Sequence, residues 1–559
     1  MKNRYSTLIV LSLLALVFVQ CNDDEFFELE RPQLFPWNSV DEFELSVVDS
    51  YYGFFLNSGW TAPYGYSAYR DFVISDISTH TDHQPLEHAA INQYDRDFTA
   101  VSNSEGDAEF AQLYRVLNQI LPGLKFIEEK EQEGTDAFSA MTPEDRNQLQ
   151  QQKGELYFMR AWTNYHLAKG FMPTYVPGGD NSGRYIPLKQ NFDETADALR
   201  SSQLGSVQEF YDLMVSDLQK AKELLPEQHA KAGRANKYAA ATLLYRIKFA
   251  MGDHAGALDE CNFVITDAVD AKGYYDLSQD PETAWVRNFG DPKANEVIWE
   301  VAFRPESSDN DIPFARMTKI GYYRANGGGR GDGTLDENGN VNGWIQSWAG
   351  TMALSYYALE RMGWMDMTTN TPTPEALADK RFNQLYYFLK AGADRNAEVD
   401  TVGMSVPERV AYMTSFDNNS KVTKNHIWVD KYYRAEDGRY AQLPLMRLPE
   451  LYLSRAMLRL SVNNDIIGAT ADVNVVRQRA GLSNLPAVTA ESVEEERLRE
   501  LAGEGGDRML YMKGFKKEID GNKFNEAGVA IPAIDFPYEG MYTPVPLGET
   551  DYNDNYNKN

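Results

Sequence analysis

The chain has 559 residues, of which 43% are hydrophobic and 24% charged, and its formal net charge is −28 at pH 7. This length and hydrophobic content are sufficient for a buried core and argue against global disorder. Because a chain this acidic repels phosphates, its bulk charge excludes nucleic acid and anionic lipid surfaces as partners and favours neutral ligands.

The N-terminus has the order of a secretory signal. A basic start is followed by a short apolar stretch from Leu8 to Val19, which is too short to span a bilayer permanently. The sequence therefore predicts a signal peptide over residues 1–20, with lipidation of the new N-terminal Cys21. An ordinary signal peptide with an incidental cysteine is the alternative interpretation. The acidic residues that follow predict a lipid-anchored tether over residues 21–35.

The chain has two cysteines, so it carries no disulfide framework. With Cys21 lipidated, Cys261 has no intramolecular partner and is predicted to be a buried helix residue. Stable attachment would require more than one acyl chain, because a single chain binds a membrane only marginally.

The first predicted helix spans Val40 to Phe55, where apolar residues recur at helical spacing. Residues Trp60 to Arg70 carry glycine and several tyrosines and are predicted to form a loop. A second helix, from Ala108 to Glu129, is predicted to be broken or kinked near Pro122.

A capping sequence begins the next helix. Thr142 suits the N-cap, Pro143 suits the first turn, and the carboxylate of Asp145 can return to the cap. This helix is predicted to end near Gly170.

The clearest local unit lies at residues 234–267. Two stretches with one apolar face each, separated by a turn at Gly252-Asp253, predict a helical hairpin that resembles a tetratricopeptide unit. Because a lone hairpin cannot bury its apolar face, further hairpins are expected to stack on it. The candidate helices lie around residues 154–168, 207–225, 449–460 and 472–480.

Residues 276–440 have a different character. Glu296 to Phe303 is predicted to be a short strand, and Gly327 to Gly343 a loop. The sequence thus predicts a mainly α fold, in which tetratricopeptide-like hairpins form a scaffold with long irregular loops and a few short strands. No linker is evident, so one domain is predicted, with the following extents: 36–559 overall, helices near 145–270 and 444–482, and loop-rich ligand regions near 56–95 and 276–440.

Several motifs, taken in order, resemble those of a known family. They are ELYFMRAWTNYHLAKGFMPTYVP at 155–177, GRANKYAAATLLYRIKFAMGDHAGAL at 233–258, PLMRLPELYLSRAMLRL at 444–460, VNVVRQRAGL at 473–482, ERLRELAGEGGDRML at 496–510 and YTPVPLGETDYNDNYNKN at 542–559. Together with the lipoprotein signal, they make the chain similar to the SusD/RagB family of outer-membrane lipoproteins. The acidic run after Cys21 resembles the surface-export signal of Bacteroidetes lipoproteins.

The resemblance implies a protein without catalytic activity or cofactor that is exposed on the cell surface. Such proteins capture a nutrient, usually a glycan or oligosaccharide, and deliver it to a SusC-like TonB-dependent transporter. Some members handle peptides, so an oligopeptide-binding protein is an alternative. A lipid-anchored glycoside hydrolase and a helical scaffold without a small ligand are two further alternatives.

Most motif residues are interpreted as scaffold. Arg160, Arg234 and Arg477 are expected to pair with carboxylates or helix ends rather than with a ligand. Gly252 and Gly481 are expected to serve turns or helix termini.

Sugar binding requires flat aromatic faces and planar polar groups, which loops can expose above a rigid base. Two regions supply them. The first contains Trp60, Tyr64, Tyr66, Tyr69, Asp76 and His80, and the second contains Tyr322, Arg330, Trp344 and Trp348. For each aromatic residue taken singly, packing of the loop against the helices is the alternative role.

No metal site is predicted. The spacing of His80, His83 and His88 fits no zinc pattern. The alternation of Asp336 with the asparagines that follow is similar to a calcium loop, but Val341 stands where that loop needs glycine, so a hairpin tip is predicted.

Overall fold

The computed structural model of the protein describes part of the chain. The described residues are 37–55, 63–80, 94–98, 104–192, 195–287, 291–302, 324–325, 344–345, 352–366, 368–369, 371–390, 399–400, 425–429, 431–432, 442–520, 523–524 and 529–556. The predicted signal peptide and tether lie outside these residues.

The helices form most of the described chain. In chain order they are α1 Val40–Phe55, α2 Pro63–Ile74, α3 Ser104–Glu133, α4 Pro143–Phe171, α5 Ala196–Arg200, α6 Val207–Leu224, α7 Lys237–Ala250, α8 His254–Phe263, α9 Tyr356–Arg361, α10 Pro374–Ala378, α11 Lys380–Gln384, α12 Leu448–Leu458, α13 Ile466–Arg479, α14 Ala490–Leu501, α15 Asp507–Gly514 and α16 Leu547–Tyr552. Short π-helical segments, Val264–Ala271 and Arg459–Asn463, continue α8 and α12. Among the described residues, no helix combines the length and the apolar character that a membrane crossing needs.

The strands are short. They are β1 Ser78–His80, β2 Arg184–Pro187, β3 Leu204–Ser206, β4 Val297–Val301, β5 Arg324–Ala325, β6 Trp344–Ile345, β7 Met352–Leu354, β8 Met365–Asp366, β9 Thr371–Pro372, β10 Tyr386–Lys390, β11 Val399–Asp400, β12 Asn425–Val429 and β13 Leu443–Arg447. β4 confirms the strand predicted from residue 296.

The long helices stack on one another in succession. α3 packs on α4, α4 on α6, α6 on α7 and α7 on α8, after which α8 meets α12 and α12 meets α13 and α14. Each helix buries an apolar face that it could not bury alone. The mainly helical, tetratricopeptide-like prediction is confirmed.

The hairpin of α7 and α8 has the predicted turn. Gly252 adopts a left-handed φ of 77°, and the side chain of Asp253 accepts a hydrogen bond from the Gly256 amide at the start of α8. Cys261 is buried, as predicted, and burial raises the pKa of its thiol well above the ordinary value.

The start of α4 is also as predicted. The Thr142 side chain accepts from the Asp145 amide, and the Asp145 carboxylate accepts from the Thr142 amide at 2.7 Å. α3 runs through Pro122 as one helix, so the predicted break is absent, and the kink given as the other possibility stays a prediction. Its apolar face, which includes Ile120 and Leu124, is almost fully buried, and this packing outweighs the lost backbone hydrogen bond.

Strands contribute more to the fold than the sequence indicated. β1, β7, β12, β10 and β11 form a five-stranded antiparallel sheet in that order, and β4 pairs with β13. The regions predicted to be rich in loops therefore contain an ordered sheet. Each strand of this sheet has two to five residues. Such strands are too short for an alternating pattern to be recognised in the sequence.

The arginines interpreted as scaffold pair with carboxylates. Arg160 holds Asp217 with two hydrogen bonds of 2.7 Å, and Arg234 donates to Glu155. Arg477 donates to Glu496 at 2.9 Å. Gly481 adopts a φ of 81° after α13, which confirms its role at a helix terminus. The prediction of a single domain stays a prediction.

Candidate ligand-binding site

The segment predicted to be a loop, Trp60 to Arg70, contains most of helix α2, and the loop prediction is wrong from Pro63 onward. Proline suits the first position of a helix. Tyr64, Ala68 and Phe72 recur at four-residue spacing and are buried, but Ser67, Arg70 and Asp71 are buried as well, so α2 is enclosed on more than one face. The helix was missed in the sequence because neither tyrosine nor glycine is a strong helix former.

The predicted ligand tyrosines Tyr64, Tyr66 and Tyr69 all lie on helix α2. Tyr64 is 4% exposed, and its ring stacks on Trp162 with a centroid distance of 6.2 Å. Tyr69 is buried in the hydrophobic core. Tyr66 lies between them on the same helix. In this structure the rings of Tyr64 and Tyr69 serve packing.

An aromatic cluster lies beneath α2. Trp162 contacts Trp299 edge-on at 5.0 Å, and His166 contacts both Tyr64 and Phe54. Within the described part of the chain, neither ring nitrogen of His166 has a hydrogen-bond partner. Burial lowers the pKa of His166 well below its ordinary value, so this ring is neutral and belongs to the packing of the cluster.

A small polar cavity lies beside Tyr64. Its volume of about 20 Å³ holds one or two water molecules and is too small for a sugar ring. Arg246 holds Glu450 in its wall with hydrogen bonds of 2.7 and 2.6 Å. Arg447 of β13 holds Glu504 in the same way, with hydrogen bonds of 3.0 and 2.6 Å. The cavity is lined by Tyr64, Tyr165, Arg246, Pro444, Leu445, Arg447, Glu450, Leu501, Glu504, Gly505, Gly506, Asp507 and Leu510.

Most residues of this cavity were not predicted as site residues. Nearly all of them stand in the motif segments at 155–177, 233–258, 444–460 and 496–510. The motifs themselves were the available signal in the sequence, because these widely separated segments meet at the cavity.

Asp76 is fully buried in the turn between α2 and β1. Its two carboxylate oxygens accept from the Arg508 guanidinium at 2.7 and 2.5 Å. Burial raises the pKa of Asp76, but the charge and hydrogen bonds of Arg508, together with the charges of Arg361 and Lys523, outweigh burial and hold the pKa below its ordinary value. Asp76 therefore joins α2–β1 to α15 in this structure, and its predicted ligand contact stays a prediction.

The five-stranded sheet joins the two predicted regions. His80 ends β1 and lies opposite Met352, the first residue of the antiparallel strand β7. The chain therefore leaves β1 at the end of the sheet where it enters β7.

The β5–β6 pair adds Trp344, which lies opposite Ala325, while Ile345 lies opposite Arg324. This register pairs two segments of the second predicted region with each other. In the sequence, Tyr322 stands two residues before Arg324. Of the predicted residues, those that lie outside the described chain are Cys21, Trp60, Tyr322, Arg330 and Trp348.

Comparison with known families gives two adjacent matches. A family profile described as "Starch-binding associating with outer membrane" matches residues 47–249, and the profile of the SusD family matches residues 295–559. The chain belongs to the SusD/RagB family.

A curated SusD relative, the SusD-like protein P2 of Formosa agariphila, is 25% identical over 369 residues. The match covers 64% of this chain and 62% of the relative. The chain therefore matches less than two thirds of that relative's length.

Solved SusD structures share the fold. A SusD superfamily protein from Bacteroides thetaiotaomicron superposes with a TM-score of 0.66 at 18% identity, covering 92% of this chain and 98% of that one. A sugar-binding protein from Bacteroides vulgatus gives 0.65 at 19% identity, covering 93% and 98%. A laminarin-binding SusD-like protein gives 0.60 at 17% identity, covering 92% and 98%.

Among the described residues of this SusD chain, no group of three or more histidine, cysteine and carboxylate side chains is suited to hold a metal ion. His83, His88 and the Asp336 segment, which were weighed as metal ligands, lie outside those residues.

Proposed function

We propose that this protein binds glycans at the cell surface and passes them to a SusC-like TonB-dependent transporter in the outer membrane. It is held there by a lipid on Cys21 and catalyses no reaction. One observation carries the proposal: β1 and β7 pair, so the two regions predicted to bear ligand residues join in one five-stranded sheet. Aromatic and polar groups that meet above a rigid base suit the apolar faces and hydroxyls of a sugar.

Two findings on similar proteins support this proposal. One matching family profile carries a description of starch binding and outer-membrane association, and one protein with the same fold binds laminarin. Both ligands are neutral polysaccharides, which agrees with the acidity of this chain.

The test is calorimetry of the full mature chain with a panel of oligosaccharides. Trp60→Ala and Trp344→Ala are each expected to weaken binding about ten-fold, because a lost stacking contact costs about 1.4 kcal/mol. The control is Tyr552→Ala, which removes a half-exposed aromatic ring on α16 and should leave affinity unchanged. Unchanged affinity in both tryptophan variants would reject these residues as ligand contacts.

Two further measurements address the other parts of the proposal. Incubation with the same panel should release no shorter sugars, and product formation would identify a hydrolase instead. Radiolabelled palmitate should be incorporated into the wild-type chain but not into Cys21→Ala. A labelled Cys21→Ala protein would contradict the assignment of the anchor.

A further inference from the structure

Residues Glu504 to Arg508, which end the connection between α14 and α15 and begin α15 itself, lie along helix α2 and are called the Glu504–Arg508 loop below. This loop contacts α2 near the start, the middle and the end of the segment that leads into β1. The three contacts are Gly505 with Tyr64, Gly506 with Asp71, and Arg508 with Asp76. No predicted ligand residue belongs to this loop, yet the loop touches the element that carries several of them.

Both glycines are required by this close approach. Gly505 and Gly506 have left-handed φ values of 49° and 84°. A Cβ on Gly505 would lie 3.2 Å from the Tyr64 hydroxyl, and a Cβ on Gly506 would collide with the Asp71 carboxylate. The backbone of the loop therefore lies directly against the side chains of Tyr64 and Asp71 on α2.

The other side of the loop is fixed to the helical scaffold. Glu504 accepts from Arg447 at 3.0 and 2.6 Å and from Lys431 at 2.7 Å. Asp507 accepts from Arg497, with one hydrogen bond of 2.9 Å. The loop thus connects α2 to β13 and α14 through charged groups that are mostly buried.

Arg508 makes the last of these connections in two directions. Its Nε and Nη2 donate to Asp76, and its Nη1 donates to Glu494 of α14 at 2.7 Å. Both carboxylates are buried, so the guanidinium has a fixed place between them. Asp76 stands two residues before β1, and its position therefore sets the direction in which β1 leaves the turn.

We infer that the Glu504–Arg508 loop is the positioning element of the ligand site and that Arg508 is its principal positioning residue. The inference rests on the proposed function, because it assumes that α2 and β1 carry the ligand. The loop transmits the geometry of the scaffold to Tyr66 on α2 and His80 on β1. Lys523, which donates to the Val73 carbonyl at 2.6 Å, supports the same turn from its other side.

The test compares two arginines in matched pairs. Arg508→Lys removes a bidentate contact to Asp76, because a lysine ammonium cannot reproduce the planar fork. Arg160→Lys is the control, since Arg160 holds Asp217 with the same bidentate geometry. The side chains of both pairs are buried to the same degree, with exposures of 5% and 0% for Arg508–Asp76 and 6% and 0% for Arg160–Asp217. The control pair joins α4 to α6, which carry no predicted ligand residue.

The first readout is hydrogen exchange of the free full-length mature protein. Arg508→Lys should accelerate exchange of the amides from Ile77 to His80 about ten-fold, whereas Arg160→Lys should leave them unchanged. Equal exchange of this segment in both variants would overturn the inference, whatever the protein binds.

The second readout is affinity for the best oligosaccharide of the panel. Arg508→Lys should weaken binding about ten-fold, because it displaces residues that contact the ligand. Arg160→Lys should weaken binding less than about two-fold, because it loosens the scaffold away from those residues. Equal loss in both variants would show that Arg508 acts only through stability. Absence of any glycan binding by the wild type would reject the proposed function, while the exchange data would still decide the positioning role.

Discussion

Gly506 stands at a position that no other residue can occupy without displacing a buried ion pair. The space next to its Cα is filled by the Asp71 carboxylate, which pairs with Lys169. Displacing this pair weakens the contact between two buried charges, and that cost is added to the cost of a left-handed residue. The two costs can be separated because another glycine of the chain has the same backbone geometry without the neighbour.

Gly506→Ala is expected to lower the free energy of unfolding by about 3 kcal/mol or more. Gly481→Ala, at a φ of 81° against 84° for Gly506, should cost only about 1–2 kcal/mol. Its added Cβ would have its nearest neighbour at 3.6 Å, an ordinary contact. Urea unfolding of the two variants measures the difference. Equal destabilisation would mean that the Asp71 pair moves aside at little cost.

At the scale of elements, helix α14 places a row of carboxylates and guanidiniums into the core between the scaffold and the sheet. Glu500 is fully buried and accepts from Arg447 at 3.1 Å, from Arg381 at 3.3 Å and from Arg479. Burial raises the pKa of Glu500, but these guanidiniums outweigh burial and hold the pKa far below its ordinary value. Glu495 on the same helix is 44% exposed.

Glu500→Gln should therefore destabilise the fold by about 3–5 kcal/mol at neutral pH, and Glu495→Gln by less than about 1 kcal/mol. Because the folded pKa of Glu500 is depressed, its stabilisation is present above the unfolded pKa and is lost as pH falls below about 4.5. The difference between wild type and Glu500→Gln should accordingly narrow in acid. Unfolding midpoints at pH 7 and at progressively lower pH measure this, and a constant difference would contradict it.

The long helices could be predicted because their apolar residues recur over several turns. α1, α4, α6, α7 and α13 all have this property, and their predicted ranges overlap the observed ones. The start of α4 could be placed to the residue, since Thr142, Pro143 and Asp145 form a local signal that needs no tertiary context.

The candidate site was less predictable, for a physical reason. α2 spans 12 residues, and its buried residues include tyrosines and charged groups that obscure the apolar pattern. The role of Asp76 depends on Arg508, which lies 432 residues away in the chain. Likewise, the pairing of His80 with Met352 depends on the register of β1 and β7, which no local pattern encodes.

At the scale of the whole molecule, the chain has a formal net charge of −28 at pH 7. Many arginines form ion pairs in the interior. Those of Arg160, Arg246, Arg447 and Arg508 are each with a buried or partly buried carboxylate. A ligand that approaches this protein therefore meets a negative potential, and the sign and size of its own charge decide how salt affects binding.

The salt dependence of binding separates a neutral glycan from a cationic peptide. Raising ionic strength from about 0.05 M to about 0.5 M should change the affinity for the best glycan less than about two-fold, because a neutral ligand gains nothing from the field that salt screens. A peptide with several lysines should weaken about ten-fold or more over the same range, since its attraction to the acidic surface is screened. Calorimetry of both ligand classes in the same buffers makes the comparison. If the tightest ligand shows the steep dependence, the oligopeptide-binding alternative replaces the glycan, because the acidic surface would then supply the affinity that the aromatic residues are expected to provide.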